Sequence, residues 1–257
     1  MRPPTALALW PSPPAGEAEP WLEPFFVETD APRPAVLVLP GGGYRRLMTE
    51  KEGSRVAARF AAAGWHAFVL HYRVAPSRFP APLHDAWRAL ALVRERAAAW
   101  RVDPGRVAAC GFSAGAHLAG AAGILAGSPS DAARPDALIL GYPVVSALDI
   151  ATEHGSFEAL LGPSATAEAL AAVSLERHVD ARTPPTFLWH TAEDAVVPVE
   201  NSLRLAAALS RHAVPFELHV YPRGVHGMGL ADRAPRLDPH VATWSGLAIE
   251  WLRGLGF

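Results

Sequence analysis

The stretch 111–115, Gly-Phe-Ser-Ala-Gly, constrains the fold of this chain more than any other feature. It fits the G-x-S-x-G pattern, in which a serine sits on a sharp turn between a strand and a helix. The flanking sequence agrees, because residues 107–110 form a short apolar run and residues 114–125 are rich in alanine. The glycines beside Ser113 remove side chains that would clash at such a turn. The motif therefore predicts an α/β fold that exposes the serine hydroxyl at the end of a strand.

Short apolar runs and longer helical segments alternate along the rest of the chain. This alternation is typical of βαβ units on a mostly parallel sheet with helices on both faces. Two edge strands are expected near residues 6–10 and 25–28, because proline-rich sequence is tolerated at sheet edges. The core strands are predicted at 35–39, 67–72, 107–111, 137–142, 186–190 and 216–221, and the main helices at 50–63, 83–100, 114–125, 201–212 and 240–252.

The length of the chain favours one domain. Its 257 residues, of which 50% are hydrophobic, suffice for one sizeable core, and an α/β domain of this length is usually undivided. One connection is long, from about residue 144 to residue 185, with short helical patterns at 156–161 and 165–175. Long insertions in compact domains are often functional, for example as lids. We therefore predict a single domain over 1–257, with a small cap or flap insertion at about 144–185.

The net charge, the cysteine content and the apolar runs of the sequence indicate which kinds of partner and cross-link to expect. The formal net charge is −2, and the arginines are scattered without a dense basic run, so no nucleic-acid partner is expected. The single cysteine, Cys110, cannot form an intramolecular disulfide and is expected to be buried in its strand. No apolar run approaches the ~18 residues of a membrane span. We expect a soluble, cytoplasmic protein without a membrane partner, and the sequence leaves homo-oligomer formation open.

A serine hydroxyl needs a base and a carboxylate before it can attack at neutral pH. In a sheet of this type these groups are expected on loops beyond the carboxyl ends of the strands. Ser113 follows the third predicted core strand, Asp194 the fifth and His226 the sixth. The order serine, aspartate, histidine is that of α/β-hydrolases. We predict Ser113 as the nucleophile, His226 as the base and Asp194 as the acid.

Other residues compete for the acid and base roles. Glu193 is next to the predicted acid, and Asp149 follows the fourth core strand. His190 and His219 fall inside predicted strands, where a histidine usually packs or bonds to the backbone. His117 lies one turn into the helix after the serine, and we expect it to anchor that helix by a hydrogen bond rather than to act on substrate.

The segment 40–44, Pro-Gly-Gly-Gly-Tyr, follows the first core strand. Consecutive glycines let backbone N–H groups turn into a pocket, where they can stabilise an oxyanion. The residue after the nucleophile, Ala114, offers another N–H group. The segment does not resemble a phosphate loop, because the Gly-Lys-Ser/Thr ending is absent. We therefore expect oxyanion-hole donors in this glycine segment and at Ala114.

Five segments carry a resemblance to a known family: Pro-Gly-Gly-Gly-Tyr at 40–44, Phe-Val-Leu-His-Tyr-Arg at 68–73, Gly-Phe-Ser-Ala-Gly-Ala-His-Leu-Ala at 111–119, Asp-Ala-Val-Val-Pro at 194–198 and His-Gly at 226–227. Over nearly its whole length the chain resembles the α/β-hydrolase superfamily. More narrowly, it is similar to small bacterial carboxylesterases related to acetyl-xylan and feruloyl esterases and to carbohydrate acetylesterases. The resemblance implies the same three catalytic residues. It further implies that N–H groups of Gly42 or Gly43 and of Ala114 form the oxyanion hole. It also implies that Tyr44 and Tyr142 line the acyl or alcohol pocket.

The expected function is hydrolysis of short-chain acyl esters, in particular deacetylation of acetylated sugars or xylo-oligosaccharides. No metal or cofactor is expected, because neither an H-E-x-x-H motif nor a cysteine–histidine cluster is present. Pro40 stands where many relatives have histidine, and Ala116 where many have glycine, so bracing of the loop and the pocket floor are expected to differ. Two alternatives remain open: an arylformamidase- or peptidase-like amide hydrolase with the same triad, and a non-catalytic ligand-binding protein on this fold.

Overall fold

The computed structural model describes residues 5–10, 19–148 and 154–257. Its strands form one sheet in the order β1-β2-β4-β3-β5-β6-β7-β8. The first two strand pairings at the β1 edge, β1 with β2 and β2 with β4, are antiparallel, and all others are parallel. The strands are β1 Leu7–Ala8, β2 Trp21–Phe25, β3 Arg33–Leu39, β4 His66–His71, β5 Val102–Phe112, β6 Ala137–Gly141, β7 Thr186–Thr191 and β8 Phe216–Tyr221.

Helices cover both faces of the sheet. They are α1 Arg55–Ala62, α2 Ala81–Glu95, α3 Ala97–Trp100, α4 Ala114–Ile124, α5 His154–Leu161, α6 Ala167–Val173, α7 Glu200–Arg211 and α8 Trp244–Gly254. Successive strand side chains point to opposite faces. In β3, Val36 and Val38 therefore pack with α1 and α8, whereas Leu37 and Leu39 pack with α2, α4 and α7. Both faces are buried, which explains why the parallel strands are continuous apolar runs rather than alternating ones.

The predicted α/β fold is confirmed, and the differences lie at the ends of elements. The second edge strand is Trp21–Phe25 instead of 25–28, because its backbone pairs residue by residue with β4. The helix predicted at 83–100 is interrupted at Arg96, which lies between α2 and α3. The helix predicted at 50–63 begins with a wider, π-helical turn over Thr49–Ser54. No helix within the described ranges is long and apolar enough to cross a membrane.

The described parts of the segment 144–185 contain α5 and α6. Phe157 of α5 is buried, and its ring meets the imidazole of His117 edge-on, with the ring centroids 5.2 Å apart. Thr166 caps α6 by accepting a hydrogen bond from Ala169 N at 3.2 Å. This segment therefore packs on the α4 side of the sheet, and its role as a cap stays a prediction. Asp149, the alternative acid, lies outside the described residues.

A buried ion pair supports the chain beyond β4. Asp85, on α2, is fully buried and accepts hydrogen bonds from Arg73 N, Nε and Nη2 and from Trp10 Nε1. The neighbouring Tyr72 hydroxyl donates to Pro40 O at 2.6 Å, and Ala75 N donates to Tyr44 O at 2.8 Å. Both acceptors lie in residues 40–44, the glycine loop. The Arg73–Asp85 pair therefore fixes the segment after β4, and this segment is hydrogen-bonded to the glycine loop.

We expect Asp85→Ala to lower the free energy of unfolding by about 3–5 kcal/mol, because it leaves the buried Arg73 charge without its partner. Urea denaturation measures the effect. Glu95→Ala, on the same helix, is the matched control: the Glu95 side chain is 55% exposed in its ion pair with Arg88, so its loss should cost less than about 1 kcal/mol. Equal costs for both variants would contradict a structural role for the buried pair.

Candidate active site

Ser113 lies in the sharp turn between β5 and α4, as the motif predicts. Its backbone has φ 54° and ψ −123°, a conformation that a residue with a side chain rarely adopts. The flanking glycines permit the turn: a methyl group on Gly111 would lie 2.3 Å from Gly115 O, and one on Gly115 would lie 2.2 Å from Leu39 O. The α4 backbone consequently lies directly against the end of β3.

A continuous chain of hydrogen bonds leads away from this serine. Ser113 Oγ lies 2.9 Å from His226 Nε2, and His226 Nδ1 lies 2.7 Å from Asp194 Oδ2. The serine and the aspartate are buried, and the histidine side chain is 18% exposed. The fold thus brings together the three residues that the sequence predicts as nucleophile, base and acid. This arrangement can pass a proton from a hydroxyl to an imidazole whose orientation a carboxylate maintains.

The surroundings of Asp194 keep it ionised. Its Oδ1 accepts hydrogen bonds from Val196 N at 3.0 Å and Val197 N at 2.9 Å. Burial alone raises the pKa of Asp194, but the hydrogen bonds of His190 and His226 and the charge of His226 outweigh burial and hold the pKa well below its usual range. A carboxylate that remains charged favours the imidazole tautomer with the proton on Nδ1.

The competing residues have other surroundings. Glu193 is exposed, and its carboxylate accepts a long hydrogen bond, 3.4 Å, from Gly224 N. His190 is buried and bonds to Ser202 Oγ and to a backbone carbonyl, as expected for a histidine inside a strand, and its Nε2 also lies 3.5 Å from Asp194 Oδ2. His219 lies 2.6 Å from a Glu217 oxygen.

The glycine loop presents backbone donors beside Ser113. Gly42 has φ 132° and Gly43 has φ 65°, values that favour glycine. Within the part of the chain that the structure describes, the N–H groups of Gly42, Gly43 and Ala114 donate to no other group. Free N–H groups next to a nucleophile suit an oxyanion. The predicted roles of these three residues stay predictions.

A cavity of about 400 Å³ opens at this point. Small-molecule sites commonly have volumes of about 300–1,000 Å³. The cavity brings together the glycine loop, the proposed nucleophile and base, α5 and the loop after Asp194. Its lining residues are Gly42, Gly43, Arg45, Arg46, Met48, Lys51, Glu52, Ser113, Ser156, Val196 and His226.

Tyr44 and Tyr142, expected to line a substrate pocket, are both buried and are absent from the walls of this cavity. The Tyr44 hydroxyl lies 2.7 Å from His117 Nδ1, and His117 Nε2 lies 2.8 Å from Val173 O. His117 therefore ties α4 to the glycine loop and to α6, as the anchoring prediction requires. Burial raises the pKa of both tyrosine hydroxyls, which keeps them protonated.

Sequence reasoning missed Glu52, which is buried beside Ser113. Its Oε2 accepts a hydrogen bond from Gly41 N at 2.9 Å, and its Oε1 accepts one from the Tyr142 hydroxyl at 2.9 Å. That hydroxyl in turn accepts a hydrogen bond from Gly229 N at 3.0 Å, on the loop that carries the proposed base. One carboxylate thus connects the glycine loop with the histidine loop.

A signal for Glu52 was present in the sequence. Glu52, Val56 and Phe60 follow one another at intervals of four, so they share one face of a helix. Val56 and Phe60 are core residues. A carboxylate on the apolar face of a helix is rarely buried without a partner, and this position therefore indicates a specific role.

Residues 26–209 match the BD-FAE family. The crystal structure of an acetyl ester-xyloside bifunctional hydrolase from Caldicellulosiruptor lactoaceticus is similar, with a TM-score of 0.91 and 39% identity over 100% of this chain and 98% of that chain. Endo-1,4-beta-xylanase B of Butyrivibrio fibrisolvens is 38% identical over 84% of this chain and 35% of its own length. The acetylxylan esterase of Xylanibacter ruminicola is 30% identical over 86% of this chain and 44% of its own length. This chain thus spans less than half the length of these two curated relatives.

The buried His117 predicts a dependence of stability on pH. Burial lowers its pKa to about 4, although the hydrogen bond to Val173 opposes the shift; an unfolded histidine titrates near ~6.5. Because the unfolded chain binds the proton first, stability is lost as the pH falls below ~6.5. We expect wild type to lose about 1–2 kcal/mol more than His117→Gln between pH 7 and pH 5, measured by urea denaturation. Parallel pH curves for the two proteins would rule out this contribution.

Proposed function

Because the chain belongs to the BD-FAE family of α/β-hydrolases, we propose that it is a serine carboxylesterase that removes short acyl groups from acetylated sugars or xylo-oligosaccharides. The observation that carries the proposal is the hydrogen-bond chain from Ser113 through His226 to Asp194, beside N–H groups that lack acceptors among the described residues. The similarity to an acetyl ester-xyloside hydrolase and an acetylxylan esterase supports the choice of substrate.

In the first step, Ser113 Oγ attacks the ester carbonyl carbon while His226 Nε2 accepts the hydroxyl proton. The 2.9 Å separation of these atoms allows direct transfer. The carbonyl oxygen becomes negative and lies against the N–H groups of Gly42, Gly43 and Ala114. Collapse of the tetrahedral intermediate breaks the ester bond, and the alcohol leaves with the proton from His226.

In the second step, water attacks the acyl-serine. His226 takes one proton from the water, the acid is released, and the proton returns to Ser113 Oγ. Asp194 stays ionised throughout, orients the imidazole and stabilises its charged form. Glu52 is a positioning residue: it holds the loop with the oxyanion donors and, through Tyr142, the loop with His226.

Ser113→Ala tests the proposal. With the nucleophile removed, kcat for p-nitrophenyl acetate should fall on the order of 10⁴-fold or more, while circular dichroism stays unchanged. The measurement compares p-nitrophenyl esters from acetate to octanoate. Ser210→Ala, at an exposed position on α7, is the matched control and should keep full activity.

Activity confined to acetate and propionate, and absent in Ser113→Ala, would support a short-acyl esterase. Equal activity of the variant and wild type would remove Ser113 from the mechanism. Folded wild type that hydrolyses amides but no ester would favour the amide-hydrolase alternative.

Glu52→Gln should lower kcat about 10- to 100-fold with little change in KM, because displacement of donors by a fraction of an ångström weakens transition-state contacts. A glutamine carries one acceptor oxygen, so either Gly41 N–H or the Tyr142 hydroxyl faces an amide NH₂ group. Steady-state kinetics of Glu52→Gln, Tyr142→Phe and the double variant measure the effect.

The two substitutions should be non-additive, because they break the same connection. Glu250→Gln, exposed on α8, is the control for a lost carboxylate. Additive losses, or a loss seen in KM alone, would contradict a shared positioning role.

A further inference from the structure

The cavity beside Ser113 has a cationic wall. Three of its lining residues, Arg45, Arg46 and Lys51, carry positive charge, and Glu52 is the one carboxylate among them. The chain as a whole has a net charge of −2. Positive charge is therefore concentrated where a substrate must enter, and such a concentration attracts anions.

Among the described residues, the three cations differ in their partners. Arg45 forms an exposed ion pair with Glu158 at 3.2 Å. Lys51 Nζ lies 3.7 Å from Glu52 Oε1, an ion-pair contact that is longer than a hydrogen bond. The Arg46 side chain forms no ion pair or hydrogen bond with any residue that the structure describes.

Both carboxylate oxygens of Glu52 already accept a hydrogen bond from another group, one from Gly41 N and the other from the Tyr142 hydroxyl. The ammonium group of Lys51 thus keeps its three donors for a group in the cavity.

Lysine and arginine residues together number 23, and Lys51 is the only lysine among them. A methyl group on Gly227 would lie 2.8 Å from Lys51 Nζ, so the ammonium group lies against the loop that follows His226. The lysine therefore places a compact point charge next to the loop that carries the proposed base.

We propose that Arg46 and Lys51 bind a carboxylate on the alcohol part of the ester, so that the preferred substrate is an acetylated acidic sugar. This inference rests on the proposed function: an acetyl group carries no charge, so the anion must belong to the sugar. Arg46 presents a planar fork of donors to the carboxylate, and Lys51 supplies a point charge. A neutral sugar would leave Arg46 without a counter-charge and Lys51 with only its long contact to Glu52.

The test compares two substrates that are nearly identical in shape, one charged and one neutral. One is a methyl glucuronoside acetylated on a ring hydroxyl, and the other is its carboxamide, which is neutral and of nearly the same shape. Acetate release by wild type should show a KM about tenfold lower for the acid, with similar kcat. Raising the salt concentration to about 0.5 M should reduce this preference, because screening weakens exposed ion pairs.

Arg46→Gln and Lys51→Met should each reduce the preference about threefold or more. Arg46 is exposed, so its replacement leaves the core intact. Arg211→Gln is the matched control: Arg211 is exposed in the last turn of α7 and does not line the cavity. This variant should keep the full preference.

The outcomes separate the inference from the proposed function. Equal KM values for acid and amide, in an enzyme that hydrolyses p-nitrophenyl acetate, would overturn the carboxylate site and leave the esterase proposal standing. A preference that survives in both Arg46→Gln and Lys51→Met would also overturn it. Absence of hydrolysis of every ester would instead overturn the proposed function.

Discussion

The arrangement of the site depends on one close backbone contact. Gly115, in the first turn of α4, lies so near the end of β3 that a methyl group there would be 2.2 Å from Leu39 O. This contact places the strained Ser113 turn next to the glycine loop that leaves β3. Since neighbouring parallel strands end at the same edge, the loops after β7 and β8 reach the same place. Backbone packing thus places Ser113 next to the glycine loop, whose N–H groups are the proposed oxyanion donors.

Side-chain hydrogen bonds then fix the remaining loops. Glu52 connects the glycine loop to Tyr142, and Tyr142 connects to the loop of His226. The ring of Tyr142 also meets the His226 imidazole edge-on, with the ring centroids 5.1 Å apart. On the other side, Tyr44 and His117 join the same glycine loop to α4 and α6. Both tyrosines that the resemblance assigns to substrate contact thus have their hydroxyls engaged with protein groups.

Much of this could be predicted from sequence, because it depends on local patterns. The G-x-S-x-G turn and the alternating apolar runs are local features, and they gave the α/β fold and the order of Ser113, Asp194 and His226. The contacts of Glu52 and the inward hydroxyls of Tyr44 and Tyr142 join residues far apart in the chain. Those contacts depend on how the segments before α1 and after β6 pack around the Ser113 turn. Hydrophobic periodicity describes single helices and strands and does not give this packing. The same limit applies to Arg46 and Lys51, because only the folded structure shows that both side chains line one cavity.

The solitary lysine has a practical consequence for chemical labelling. Reagents that acylate side-chain amines find only Lys51 among the 257 residues, and it lies in the wall of the cavity beside Ser113 with its side chain 27% exposed. Attachment of a dye, a polymer or a solid support through a lysine would therefore occupy the entrance to the site. Carboxyl-directed chemistry at exposed acidic residues is the route that leaves Lys51 unmodified when this protein is immobilised, whereas arginine-directed chemistry would reach Arg45 and Arg46 in the same cavity.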